Sequence, residues 1–245
     1  MNILQAGFLG ILQGLTEFLP VSSSGHLVLA QNFMPGFDQP GVLFDVFLHL
    51  GTLLAIVFYF KKAIFNLSWD YLKLILLATI PAAVVGFFFS DIVENLFTST
   101  AVVGFALLVT AGFNFFTDKA KKAFNKLDIK SAIWTGVFQA LALVPGISRS
   151  GATIFAATKK GIARSEAAQF SFILSVPAVL GGSFLQVMKY GVVAKQDALS
   201  YLVGFLMAFV SGYLAIGVVM KLLTEKRFKI FALYCLVVGF VAILL

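Results

Sequence analysis

The chain is short of charge. Only 12% of its 245 residues are Asp, Glu, Lys or Arg, against about a quarter in a soluble domain. That shortage excludes a water-soluble globule with an ordinary surface. Cysteine is almost absent: Cys235 stands alone, so no intramolecular disulfide and no cluster of thiolates around zinc can form. Acidic residues are the scarcer sign, 11 against 18 basic ones. No Lys or Arg precedes Lys61, so the N-terminus lacks the basic start of a secretory signal and is read as having none.

Hydrophobic residues fill the space that charge leaves. They make up 60% of the chain, and the mean hydropathy is +0.99. Apolar runs recur at about 71–89, 99–116, 168–188, 199–220 and 228–245, each long enough to cross a bilayer core of roughly 30 Å. A shorter run, about 44–60, stops at Lys61-Lys62. The expectation is an all-α polytopic membrane protein. Its net charge of +7 is read as loop charge beside the membrane rather than a nucleic-acid surface.

Polar residues interrupt the apolar N-terminus at QGLTEFLPVSSSGH, residues 13–26, and the interruption returns in the second half. With one fixed offset of 126, Gln13 meets Gln139, Ser22 meets Ser148, Ser24 meets Ser150, and Gly25 meets Gly151. Pro20 and Pro145 fall one place apart. In each copy a short apolar stretch runs into Pro, then a Ser/Gly cluster, then a second short stretch. Proline breaks a helix interior, Ser and Gly favour a loop, and neither half spans alone. Each copy is read as a re-entrant helix–loop–helix whose irregular backbone lies inside protein or against a wet cavity.

Counting gives the topology. Three crossings separate the two hairpins, so the second enters from the opposite face and the halves are inverted. All but Arg149, Lys189 and Lys195 of the 18 basic residues, including the run from Lys119 to Lys130, then share one side, which the positive-inside rule makes cytoplasmic. The expected architecture is one membrane domain, 1–245, with six transmembrane helices and two re-entrant hairpins. Its repeats are 1–118 and 127–245, and both termini lie outside.

Opposed hairpins bring the polar breaks 20–25 and 145–151 together near the midplane. Glu17, His26 and Arg149 then share a hollow rich in hydroxyls, and ionisable residues at such depth point to function. Gln13 and Glu17 share a helix face. Helix N-termini after PVSSSGH and PGISRSG, with the Arg149 guanidinium, suit an anion. Ser23 could serve as a nucleophile, with His26 three residues on to move its proton. Blander readings stand beside these. Glu17 and Arg149 could simply be a buried ion pair locking the halves, and Ser23 a helix cap. His49, one turn after Asp45, reads as a packing histidine. Ser171, Ser175 and Ser211 read as helix-packing hydroxyls.

The stretches GxxQGxTEFLPVSSSGH and PGISRSGAT, with FDVFLHLGTLLA between them, resemble the integral-membrane undecaprenyl-diphosphatase family of the bacitracin-resistance type. The resemblance implies removal of the terminal phosphate of undecaprenyl diphosphate, a cell-wall lipid carrier. Catalytic roles fall on Glu17, Ser23, His26 and Arg149. Substrate contacts are expected at Gln13, Ser22, Ser24, Gly25, Ser148, Ser150, Gly151 and Thr153. Help from a divalent cation such as Mg²⁺ or Ca²⁺ is also implied, although Gln13 stands where many members carry Glu and leaves one clear carboxylate. The implied partners are a polyprenyl diphosphate lipid and the bilayer, with no nucleic acid. The implied location is the bacterial inner membrane, with the site opening outward. A lipid-phosphate flippase or anion transporter is the rival reading.

Overall fold

The computed structural model describes residues 1–118, 125–191, 197–224 and 227–245. Lys119, Lys121, Lys122, Lys195 and Lys226, all used in the charge argument, lie outside them. Among the described residues the chain is helical throughout, with no strand. Twelve helices follow in order: α1 Ile3–Phe18, α2 Ser23–Asn32, α3 Leu43–Tyr59, α4 Lys61–Phe65, α5 Trp69–Phe88, α6 Ser90–Leu96, α7 Thr100–Thr117, α8 Ile129–Leu141, α9 Arg149–Lys159, α10 Arg164–Tyr190, α11 Ala198–Thr224 and α12 Phe228–Leu244.

Four of them, α5, α7, α10 and α11, are long and apolar enough to cross a membrane. The apolar helices α1, α3 and α12 are shorter. The chain is therefore a polytopic helical membrane protein, and large side chains such as Leu4, Phe87, Phe184 and Leu214 are exposed on its outside. The apolar runs read from sequence fall on α3, α5, α7, α10, α11 and α12 within a few residues. The sequence reading has no counterpart of α4 and α6: they are short helices of five and seven residues that follow α3 and α5 and bury no residue.

Local chemistry fixes where α1, α2, α8 and α9 begin. Asn2 caps α1 by accepting from the Gln5 amide at 2.8 Å, and the Gln5 side chain accepts from the Asn2 amide at 2.9 Å. Asp128 and Ser131 make the same reciprocal box at the start of α8. Such a box satisfies two donors that a helix start leaves open. Ser22 accepts from the Gly25 amide to cap α2, and Ser148 accepts from the Gly151 amide to cap α9. From α1 to α8 and from α2 to α9 the first residue advances by the same 126.

The breaks are set by residues that cannot continue a helix. Pro20 follows α1, and Ser22 then takes φ +68°, the single positive φ among described non-glycine residues. In the second break Gly146 takes φ +98°, a conformation open to glycine at little cost. A Cβ on Gly25 would lie 3.0 Å from the Gly146 Cα, so the two breaks touch. Helix α7 braces both. Asn114 donates to the Pro20 carbonyl at 2.6 Å. Thr110 donates to the Gly146 carbonyl at 2.8 Å and accepts from the Ser148 amide at 2.9 Å.

Small residues let the flanking helices close in. α1 packs on α11 with Gly14 so near Gly212 and Ala208 that a Cβ would come within 2.5 Å of the Gly212 nitrogen. α8 packs on α5, where a Cβ on Gly136 would lie 2.9 Å from the Ala78 Cα. Close backbone approach of this kind is how helices associate where lipid removes the hydrophobic drive. Phe18, at the end of α1, anchors an apolar cluster with Ile56, Ile154, Phe172 and Ile216. That cluster ties together both halves of the sequence beneath the two breaks.

Candidate active site

Glu17 and Ser23 come from the two sides of the first break, and Arg149 opens the helix after the second. Arg149 Nη2 donates to Glu17 Oε1 at 2.6 Å, and its Nη1 donates to the Ser171 carbonyl at 3.0 Å. Ser23 Oγ donates to Glu17 Oε2 at 2.6 Å. Gln13 Nε2 donates to the same oxygen at 3.0 Å, one turn back on α1. The Glu17 and Arg149 side chains are 5% and 15% exposed. The two charges therefore neutralise each other at depth, as such groups must when buried.

An ion pair that only locked two halves would be sealed. This one opens on a cavity of about 270 Å³. Glu17, Ser23, Arg149, Ser22, Ser24 and Ser148 line its polar end, and Ala82, Gly86, Leu143, Ala178 and Val179 continue it as an apolar wall between α5, α8 and α10. The Ser23 and Ser24 amides hold the first two positions of α2, where a helix offers no internal acceptor. The polar end thus combines a guanidinium, hydroxyls and a helix start, the groups that bind a phosphate.

Several residues expected to touch a ligand also make bonds within the fold. The Gly25 and Gly151 amides donate to the capping serines. Ser150 Oγ donates to the Leu19 carbonyl at 3.2 Å. Thr153 Oγ1 donates to the Arg149 carbonyl at 2.7 Å. Gln13 stands behind Glu17 rather than at the cavity wall. His26 stands apart as well. Its Nδ1 meets the Ser22 carbonyl at 2.7 Å, its Nε2 meets the Tyr234 hydroxyl at 2.7 Å, and its ring stacks on Tyr234. Both ring nitrogens are occupied, and His26 does not line the cavity.

The residues do not fit a divalent cation held by protein alone. Among the described residues no group of three His, Cys, Asp or Glu side chains gathers as a metal set. Both Glu17 oxygens already face donors, and the nearest neighbour of Oε1 is itself a cation.

Residues 6–241 match the family model described as Bacitracin resistance protein BacA. The chain belongs to the BacA family. An undecaprenyl-diphosphatase of Syntrophotalea carbinolica is 40% identical to it, over 98% of this chain and 97% of its own. One of Methanobrevibacter smithii is 40% identical over 98% and 96%. The protein named undecaprenyl-diphosphatase 4 of Bacillus cereus is 42% identical over 96% and 93%.

Two site residues of this BacA chain lie where sequence reasoning gave them little weight. His49 Nε2 lies 3.4 Å from Glu17 Oε2, and its ring lines the cavity. The sequence showed only a histidine four residues after Asp45. Gln139 also lines the cavity, and neither atom of its buried amide has a partner. In the sequence it is the match of Gln13, 126 residues on. A glutamine placed inward at the same spacing before each break was the available signal.

Proposed function

We propose that this protein removes the terminal phosphate of undecaprenyl diphosphate, giving undecaprenyl phosphate and inorganic phosphate and so recycling a cell-wall lipid carrier. The relatives' names support the reaction. The observation that carries it to particular residues is the contact of Ser23, Glu17 and Arg149 at the polar end of one cavity.

Arg149, the Ser23 and Ser24 amides and the Gln139 amide hold the diphosphate oxygens. An unpartnered buried amide is costly, and a ligand oxygen satisfies it. Glu17 takes the hydroxyl proton of Ser23, whose Oγ attacks the terminal phosphorus, and Arg149 stabilises charge on the transferring oxygens. The apolar wall of Ala82, Gly86, Ala178 and Val179 takes the first isoprene units. His26 positions: it holds the Ser22 carbonyl and so the left-handed turn that presents Ser23. No step runs through a metal, and a divalent cation enters this reading only as a companion of the diphosphate oxygens.

The fold reading is an inverted repeat, 1–118 and 127–245, with six crossings and with α1–α2 and α8–α9 as hairpins re-entering from opposite leaflets. The shared 126-residue spacing of helix starts, caps and breaks supports it. The site then opens to the outer side of the inner membrane, where both termini lie. A flippase would need the same anion site but no hydroxyl hydrogen-bonded to a carboxylate, so the Ser23–Glu17 contact favours the hydrolase.

Purified protein in detergent with undecaprenyl diphosphate tests the reading. The wild type is expected to release phosphate. Ser23→Ala and Arg149→Ala are expected to insert normally and release at least about 10³-fold less. Near-normal release by both variants would refute the assignment.

A further inference from the structure

We propose that His49, rather than the motif histidine His26, carries the proton of the reaction: it takes the Ser23 proton by way of Glu17 and returns it when the serine is freed. The proposal rests on the hydrolase reading above and deepens it. His49 Nδ1 lies 2.7 Å from the Asp45 main-chain carbonyl. A carbonyl only accepts, so the hydrogen is on Nδ1. Nε2 is therefore the nitrogen that gains and loses a proton, and it faces Glu17 Oε2 at 3.4 Å. Ser23 Oγ donates to that same oxygen at 2.6 Å. One carboxylate oxygen thus stands between the nucleophile's proton and a vacant imidazole nitrogen. The His49 side chain is 23% exposed and lines the cavity, so a proton can also leave it for water. His26 has no vacant nitrogen.

The charged groups around His49 are few. Glu17 faces it from α1, with Arg149 of α9 behind the same carboxylate. Asp45 lies one turn back on α3, with its carboxylate accepting from Gln31 at 2.5 Å. Of the other elements packed on α3, α10 carries Arg164, Glu166, Lys189 and Tyr190 near its ends, α11 carries Tyr201, Tyr213 and Lys221, and α4 carries Lys61 and Lys62. Glu17 is the one that reaches Nε2.

The steps balance. Ser23 Oγ attacks the terminal phosphorus, and the bond from that phosphorus to the bridging oxygen breaks. The bridging oxygen leaves with its electron pair on undecaprenyl phosphate. The hydroxyl proton passes to Glu17 Oε2 and on to His49 Nε2. Water then attacks the phosphoserine phosphorus, and the bond from phosphorus to Ser23 Oγ breaks. The His49 proton returns to Oγ, and phosphate leaves as H₂PO₄⁻ with both water protons.

The test is kcat/KM for phosphate release against pH, measured on the wild type, His49→Gln, His49→Asn and His26→Gln. His49→Asn keeps a donor to the Asp45 carbonyl and serves should His49→Gln fail to fold. Wild type is expected to lose activity on the acid side. Both His49 variants are expected to lose that acid limb, with kcat lower by about 10²–10³-fold and KM within about threefold. His26→Gln is expected to keep the limb whatever its rate. A His49 variant that keeps the limb with kcat within threefold of wild type overturns the proposal, as does loss of the limb in His26→Gln. Normal phosphate release by Ser23→Ala and Arg149→Ala would instead mark failure of the hydrolase site itself.

Discussion

Replacing Glu17 by Gln changes one heavy atom and tests most of the site. The carboxylate now accepts from Arg149 on one oxygen and from Ser23 and Gln13 on the other. An amide has one acceptor oxygen and one NH₂ group. Turned toward Arg149, it points hydrogens at the Gln13 amide; turned the other way, it points them at the guanidinium. Either way a charge that is 15% exposed loses its counter-ion. Removing one partner of a buried pair costs about 3–5 kcal/mol, and the partial exposure of Arg149 puts this case near the lower figure. At roughly 2–4 °C per kcal/mol for a chain of this size, the melting temperature should fall by about 6–12 °C. Turnover should fall by about 10²–10⁴-fold, because the base for Ser23 is gone. Adding Arg149→Gln separates the two effects. The double variant leaves no unpaired charge, so it should recover more than half of the lost stability and none of the activity. The assay is a thermal melt in detergent beside phosphate release. A single Glu17→Gln variant that melts within about 2 °C of wild type and turns over within threefold would refute the electrostatic account.

Three further expectations follow, two from the packing and one from the charged contacts of α6. Gly14→Ala drives a Cβ against the Gly212 nitrogen and the Ala208 carbonyl, at 2.5 and 2.7 Å. It should cost about 1–3 kcal/mol by forcing α1 from α11. Gly181→Ala meets nothing within 4 Å and should be neutral or slightly stabilising in a melt. Glu94 lies on α6 outside the long helices, where burial raises its pKa but hydrogen bonds from Lys189 and Tyr190 outweigh that and lower it overall. A carboxyl lowered on folding stabilises above its unfolded value and loses that contribution as pH falls through the folded one. The wild-type melting temperature should therefore drop faster below about pH 4.3 than that of Glu94→Gln, and parallel curves would contradict a stabilising role for the Glu94 contacts.

Much of this was legible in the sequence because membrane segments obey a simple rule. The runs around 71–89 and 199–220 are apolar over most of their length, Lys73 being the one charged residue in them, and length identifies them. The meeting of Glu17, Ser23 and Arg149 was also legible, since residues of such cost at membrane depth need one another. The histidines were not. PVSSSGH places His26 next to the nucleophile along the chain. In three dimensions the turn at Ser22 directs the ring to the Ser22 carbonyl and to Tyr234, a residue 208 positions away. His49 is four residues from Asp45 and 32 from Glu17, and only the packing of α3 beside α1 brings it in. The capping bonds within the two breaks were no more legible. The serines that mark each helix start also cap it, and so occupy the Gly25 and Gly151 amides.

The stereochemical course at phosphorus is the most direct test of Ser23 as the atom that attacks. A lipid diphosphate carrying a terminal thiophosphoryl group made chiral with two oxygen isotopes would be hydrolysed by the purified protein in water carrying the third isotope, and the configuration of the released thiophosphate analysed. Two in-line displacements, first by Ser23 and then by water, give net retention, which is the result expected here. Net inversion would mean that water attacks the lipid diphosphate in a single step, and it would contradict the account.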